Sequence, residues 1–202
     1  MPDSRSAPAG AAHRAGTSPD SALPSSLSDL DALRRRARER IEQGPVTPGY
    51  RANREVVIDL LNAALATELV CVLRYKRHAF TAKGIHAEPV VEEFRQHAIE
   101  EAEHADRIAQ RIMQLGGAPD FSPEGLASRS HSEYDASSEL VDMIREDLVA
   151  ERIAIESYTE MVRYLGDDDP TTRRMLEEIL AAEEEHADDL ATLLAKLQPP
   201  RA

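Results

Sequence analysis

The sequence predicts an all-α protein, a bundle of four long helices with short turns inside each half and one long crossover between the halves. Apolar side chains recur at helical spacing through four long segments, Gly and Pro mark the ends of those segments, and the second half of the pattern repeats the first.

Residues 1–28 are rich in Ala, Ser, Pro and Gly and almost without large apolar side chains, so a disordered tail is expected there. Between Ser28 and Gln43 a short helix is expected, with Leu30, Leu33, Ala37 and Ile41 on one side and Arg34, Arg35, Arg36, Arg38 and Arg40 around it. This Arg34–Arg40 cluster reads as a solvated basic segment in preference to a contact with DNA, an anionic surface or the acidic body of a neighbouring subunit. Gly44-Pro45 and Pro48-Gly49 then punctuate the chain, which sets residues 1–50 apart from a bundle over 51–197 and a short C-terminal tail over 198–202.

The first long helix is expected from Arg51 to Lys83, with Leu61, Leu65, Glu68, Val72 and Tyr75 on one stripe and Gly84 after it. The second runs from Glu88 to Leu115 and stops at Gly116-Gly117; Ala118 to Asp135, with Pro119, Pro123 and Gly125, reads as the crossover. Ser137 or Ser138 is the expected cap of a third helix ending at Leu165, its stripe being Leu140, Ile144, Leu148, Glu151, Ile155, Tyr158 and Val162. Gly166 ends it, and Asp167-Asp168-Asp169-Pro170 caps a fourth helix that reaches Leu197.

Composition narrows the function. The net charge of −13 disfavours nucleic acid or anionic membrane as the main partner of the folded body and suits the attraction of cations. The single Cys71 excludes an internal disulfide framework and a Cys-x-x-Cys metal module, leaving a small packing group. No apolar run is expected to approach membrane-spanning length and the N-terminus has no signal-peptide core, so a cytoplasmic protein is expected.

Two stretches carry the chemistry, Glu101-Ala102-Glu103-His104 and Glu183-Glu184-Glu185-His186. Residues three apart are nearly one turn apart, about 4.5 Å along the axis, so each Glu and His share a face. That face is the apolar one: Phe94 and Ala98 lead to Glu101 and His104 and then to Ile108, Ile112 and Leu115, and Leu176 and Ile179 lead to Glu183 and His186 and then to Leu190, Leu194 and Leu197. A buried carboxylate is costly without a counter-charge, and a divalent cation supplies one. The flanking Glu100, Glu103, Glu184 and Glu185 lie off the stripe and are expected in solvent; His97 lies one turn before Glu101, close to its face, and His13, His78, His86 and His131 have no paired context.

Glu68 precedes Glu101 by 33 positions and Glu151 precedes Glu183 by 32, while Tyr75 and Tyr158 each follow the lone Glu of their half by seven. Two helical hairpins related by a pseudo-two-fold axis would bring four Glu and two His together in one core. Tyr75 and Tyr158 are then candidates to orient the ligands, or simply to fill the core.

From Asn53 to Leu197 the sequence resembles bacterioferritin and its ferritin-like relatives, through Ala66-Thr67-Glu68-Leu69-Val70 with Tyr75, Glu101-Ala102-Glu103-His104-Ala105-Asp106-Arg107, Asp147-Leu148-Val149-Ala150-Glu151 and Glu183-Glu184-Glu185-His186. The resemblance implies a ferritin-like four-helix bundle with one long crossover connection, housing two iron ions per subunit, with manganese as the alternative metal. It further implies that Glu68 and Glu151 are terminal ligands, that Glu101 and Glu183 bridge, and that His104 and His186 each complete one ion; the same six would be the catalytic residues. The implied activity is oxidation of Fe2+ with O2 or H2O2 and storage of the product, in a homo-oligomeric shell of 12 or 24 subunits. Haem is not expected, because Ala102 stands where bacterioferritins carry the haem-ligating Met and Met113 is too far along the helix to replace it. Residues 198–202 are too few for the fifth helix of family members that build 24-subunit shells, which favours a smaller Dps-like assembly. The alternative is a ferritin-like di-metal peroxidase or manganese catalase without mineral storage; the rubredoxin-like cysteines of rubrerythrin-type peroxidases are absent.

Overall fold

The computed structural model describes residues 29–197, so the expected disordered tail and the C-terminal 198–202 lie outside the described residues. Four helices of 26 to 28 residues form the body: α2 Arg54–Thr81, α3 Ala87–Gln114, α5 Leu140–Leu165 and α6 Pro170–Leu197. A short α1, Leu30–Arg36, precedes them, and a single turn, α4 Leu126–Arg129, lies in the crossover. Helix α2 packs along α3 and α5 along α6, and the two hairpins meet α2 against α5 and α3 against α6. This is the expected all-α bundle with one long crossover.

The ends follow local chemistry. Asn53 caps α2 by accepting from the Val56 amide, and Asp169 caps α6 by accepting from the Thr172 amide at 2.9 Å, with Pro170 pre-set for the first turn. Asp169 also pairs with Arg111 of α3 at 3.0 Å and accepts from the Tyr50 hydroxyl at 2.9 Å, so it ties the start of α6 to the end of α3 and to the linker. At Gly117 an added Cβ would sit 2.8 Å from Ile58 Cγ2, and the missing side chain lets the crossover leave close against α2.

Three expectations are corrected. The helix expected over Ser28–Gln43 breaks after Arg36, passes through Arg40 at φ 51° and resumes only as a 3-10 turn, Ile41–Gln43. None of α1 is buried, so no packed face holds a longer helix there. The cap of α5 is Glu139, without a side-chain hydrogen bond, and not Ser137 or Ser138. Helix α2 is long and apolar enough to cross a membrane by length and composition, which the expectation of no such run missed; over half of that window is buried inside the bundle.

Two apolar clusters fill the bundle. One holds Leu61, Leu65, Ile108, Ile112, Tyr158, Leu165, Leu176 and Ile179; the other holds Tyr75, Phe94, Met143, Ile144 and Leu190, with Cys71 as a small buried packing group. The long helices run through both clusters, and their charged side chains converge between them.

Candidate metal centre

Glu68 from α2, Glu101 and His104 from α3, Glu151 from α5, and Glu183 and His186 from α6 meet at mid-bundle, each at most 5% exposed. All six predicted site residues are therefore brought together. They form two overlapping sets, Glu68, Glu101, His104 and Glu183, and Glu101, Glu151, Glu183 and His186; within each set the candidate ligand atoms lie within 4.8 Å of one another. Glu101 and Glu183 belong to both sets.

His104 Nδ1 lies 3.0 Å from Glu183 Oε1, 3.4 Å from Glu101 Oε2 and 3.5 Å from Glu68 Oε2. His186 Nδ1 lies 3.5 Å from Glu183 Oε2 and 3.7 Å from Glu101 Oε1. Glu68 Oε2, Glu101 Oε1, Glu151 Oε2, both Glu183 oxygens and Nδ1 of both imidazoles are buried without a hydrogen-bond partner among the described residues. Seven such atoms converging on one volume are what a site for cations with oxygen and nitrogen ligands requires, so the residues fit divalent metal.

The electrostatics point the same way. Burial, then the charge of Glu183 beside them, pushes the Glu101 and Glu151 carboxyls well above the usual range. Burial opposes ionisation of Glu183 too, but the adjacent His104 and His186 imidazoles outweigh it and hold that carboxyl down at about 2. Burial lowers the two imidazoles, and the proximity of the surrounding carboxylates reverses this, raising His104 to about 12 and His186 to about 9. Without a metal ion, the cluster satisfies its demand for positive charge by retaining protons.

The tyrosines cross between halves: Tyr75 of α2 donates to Glu151 Oε1 of α5, and Tyr158 of α5 donates to Glu68 Oε1 of α2. Both are 1% exposed, so they fill the core and orient a carboxylate at once.

Four residues beyond the six join the site. Glu100, expected in solvent, is half-buried and lies 2.7 Å from His186 Nε2 across the α3–α6 seam. His97 is buried, stacks on His186 with ring centroids 4.1 Å apart, and has its Nδ1 3.2 Å from the Tyr75 hydroxyl. Burial, then the charge of His186, lowers it to about 3, so it is neutral. Glu93 and Asp189 stand beside it. The position of His97 one turn from Glu101 was a signal available in the sequence; the other contacts cross between helices and leave no local pattern. Away from the centre, His78 is also buried, bound to Asp147 at 2.8 Å, and Asp147 in turn pairs with Arg74 at 3.0 Å.

Two helices each bearing Glu-x-x-His, facing two helices that each bear a lone Glu, around one buried cluster, define a ferritin-like bundle. Residues 58–199 match the ferritin-like domain family, and the chain belongs to that family. It is 34% identical over 140 residues to the nutrient stress-induced DNA-binding protein of Synechococcus sp., an alignment covering 67% of this chain and 78% of that protein. It is 29% identical over 141 residues to the bacterioferritin of Desulfovibrio desulfuricans, covering 68% of this chain and 74% of the relative. Among solved structures it is similar to the dodecameric thioferritin, a bacterioferritin-related protein, of Bacteroides fragilis, with a TM-score of 0.70 and 34% identity over 73% of this chain and 89% of that one.

Proposed function

We propose that the protein oxidises and stores iron, taking two Fe2+ per chain as substrate at the buried cluster and passing their electrons to O2 or H2O2. The observation that carries this is the convergence of seven unpartnered buried atoms from Glu68, Glu101, His104, Glu151, Glu183 and His186. Four carboxylates match the four positive charges of two Fe2+, so the ions enter a buried site without leaving it strongly charged. The donors are oxygen and imidazole nitrogen with no sulfur among them, a set that suits iron and manganese.

Two Fe2+ lose one electron each. With H2O2 and two protons the products are two Fe3+ and two water molecules; with O2 and two protons they are two Fe3+ and one H2O2. Glu101 and Glu183, shared by both sets, hold the two ions side by side; Glu68 with His104 and Glu151 with His186 complete one ion each. Tyr75 and Tyr158 fix the orientation of Glu151 and Glu68 through hydrogen bonds.

The reading includes a homo-oligomeric shell. An apolar groove of about 900 Å³ runs over the outer faces of α2 and α5, lined by Val56, Leu60, Val149, Ile153, Met161 and Tyr164, and a second copy of the chain would cover it. Residues 51–197 are the unit that forms the bundle. In α1 the arginines stay on the surface, Arg34 pairing with Asp31 among the described residues, and the solvated reading of that segment stands ahead of a DNA contact.

The test is an aerobic Fe2+ titration with native mass measured alongside. Storage predicts uptake far beyond two irons per chain in a large particle. Saturation near two per chain in a small oligomer would instead mark a di-metal peroxidase or catalase, and absence of iron binding would overturn the assignment.

A further inference from the structure

A pocket of about 460 Å³ opens between α3 and α6 onto the centre, with His104 and His186 at its floor and Glu93, His97 and Asp189 in its wall. Here the two halves of the bundle stop being equivalent. The position four before Glu101 is His97, whereas the position four before Glu183 is Ile179, a plain core residue.

His97 is 1% exposed, and its hydrogen bonding fixes which ring nitrogen carries the proton. Tyr75 gives its single hydroxyl proton to Glu151, so toward His97 Nδ1, 3.2 Å away, that oxygen can only accept. The ring proton therefore sits on Nδ1. Nε2 is left with a lone pair, and what it faces at 3.2 Å is Glu93 Oε1, itself an acceptor. Asp189 of α6 stands against Glu93, and ligand atoms of Glu93, His97 and Asp189 lie within 4.8 Å of one another. A buried imidazole nitrogen and two carboxyl groups thus converge on one place, the Glu93 and Asp189 carboxyls hydrogen-bonded to each other. Burial, and then the charge of Asp189, raises the Glu93 carboxyl, as crowding of acceptors requires.

We propose that Glu93, His97 and Asp189 form a third, mononuclear site for a divalent cation in the pocket wall and, on the reading of the centre given above, that this site hands Fe2+ to the position held by Glu151 and His186. One nitrogen and two carboxylates form a ligand set for Fe2+, Mn2+ or Co2+, and the open side of the pocket leaves room for water on the ion. The stacked rings of His97 and His186 place the third site one imidazole away from the centre.

The test uses the full-length protein and Co2+ or Mn2+ alone. Equilibrium binding should give three Co2+ per chain for the wild type and two for the double variant Glu93→Gln/Asp189→Asn, whose substitutions sit at the half-buried rim and should leave the melting temperature unchanged. Anomalous scattering from crystals grown with Mn2+ should show a peak among Glu93, His97 and Asp189, apart from two at the centre. Single-turnover Fe2+ oxidation by the variant should slow several-fold at iron levels below two per chain. Two filled positions at the centre with no peak at the third site, or an unchanged stoichiometry in the double variant, would overturn the proposal. A peak at the third site with an empty centre would instead sink the ferroxidase reading and leave the third site standing.

Discussion

Glu101→Gln separates the two demands on a buried carboxylate. Without metal, burial and the charge of Glu183 keep the Glu101 carboxyl protonated, so a neutral amide of the same shape should change the stability of the metal-free protein by no more than about 1 kcal/mol. With metal, the outcome differs, because Glu101 belongs to both ligand sets. Two unit charges about 4 Å apart interact by about 4 kcal/mol at an effective dielectric constant of about 20, and relief of the carboxylate's own desolvation returns part of that. A net loss of about 2–4 kcal/mol weakens metal affinity about 30- to 700-fold. The assay is thermal unfolding with and without Mn2+, with calorimetric titration for the affinity. At Mn2+ about 100 times its dissociation constant the wild type gains about 2.7 kcal/mol, or about 5–11 °C for a chain of this size. At the same concentration the variant should gain under about 1 kcal/mol. A variant with the full wild-type gain would show that Glu101 is no ligand, and a metal-free variant destabilised by more than about 3 kcal/mol would show that the carboxyl serves the packing of the bundle instead.

Tyr75→Phe and Tyr158→Phe should each keep two metal ions at the centre but weaken them about 10-fold, since each removes one hydrogen bond from a ligand; calorimetry on the two variants should give matching losses. The metal-free protein should lose stability as pH rises. Glu101 and Glu151 are raised above the usual carboxylate range, so the folded state holds protons that the unfolded chain has released, and the contribution of protonated His186 is complete below about 6.5 and lost as pH passes about 9. Metal displaces those protons, so the Mn2+-dependent gain in melting temperature should grow from pH 6 to pH 8; a gain that shrinks would contradict the ligand assignment. Asp169→Ala leaves the Arg111 guanidinium buried and uncompensated and should cost about 3 kcal/mol in chemical denaturation without altering the metal stoichiometry.

The six central residues were legible because two of the four helices break their own apolar stripe with Glu and His at one-turn spacing, a conflict that shows within a single helix. The α3 stripe from Phe94 to Leu115 is buried as expected. In α5 the expected stripe was rotated: Leu140, Leu148, Ile155 and Val162 are only half-buried, while Met143, Asp147, Ala150, Ala154 and Met161 take the core. Asp147 hid that face, because its burial depends on Arg74 and His78 from α2, and a partner on another helix leaves no trace along its own. Glu100 misled for the same reason: its place off the α3 stripe was read correctly, but α6 brings His186 to it.

The bundle departs from two-fold symmetry in what supports its central imidazoles. Every proposed ligand has a counterpart in the other half, and the exchange of tyrosines means that neither hairpin orients its own lone Glu. The halves differ at Glu100, whose counterpart is Ala182. Glu100 accepts from Nε2–H of His186 at 2.7 Å and so makes the Nδ1 that faces the cluster more basic, whereas no carboxylate stands at that position beside His104. Two positions built from the same ligand types should therefore bind unequally, the one served by Glu151 and His186 filling first. In the Glu93→Gln/Asp189→Asn background, where the pocket wall no longer competes, Mn2+ should bind in two resolved steps, and adding Glu100→Gln should weaken the tighter step about 10-fold and merge the two. A single class of site before that substitution would show that the pseudo-symmetry of the ligands, and not the asymmetry of their supports, sets the affinity.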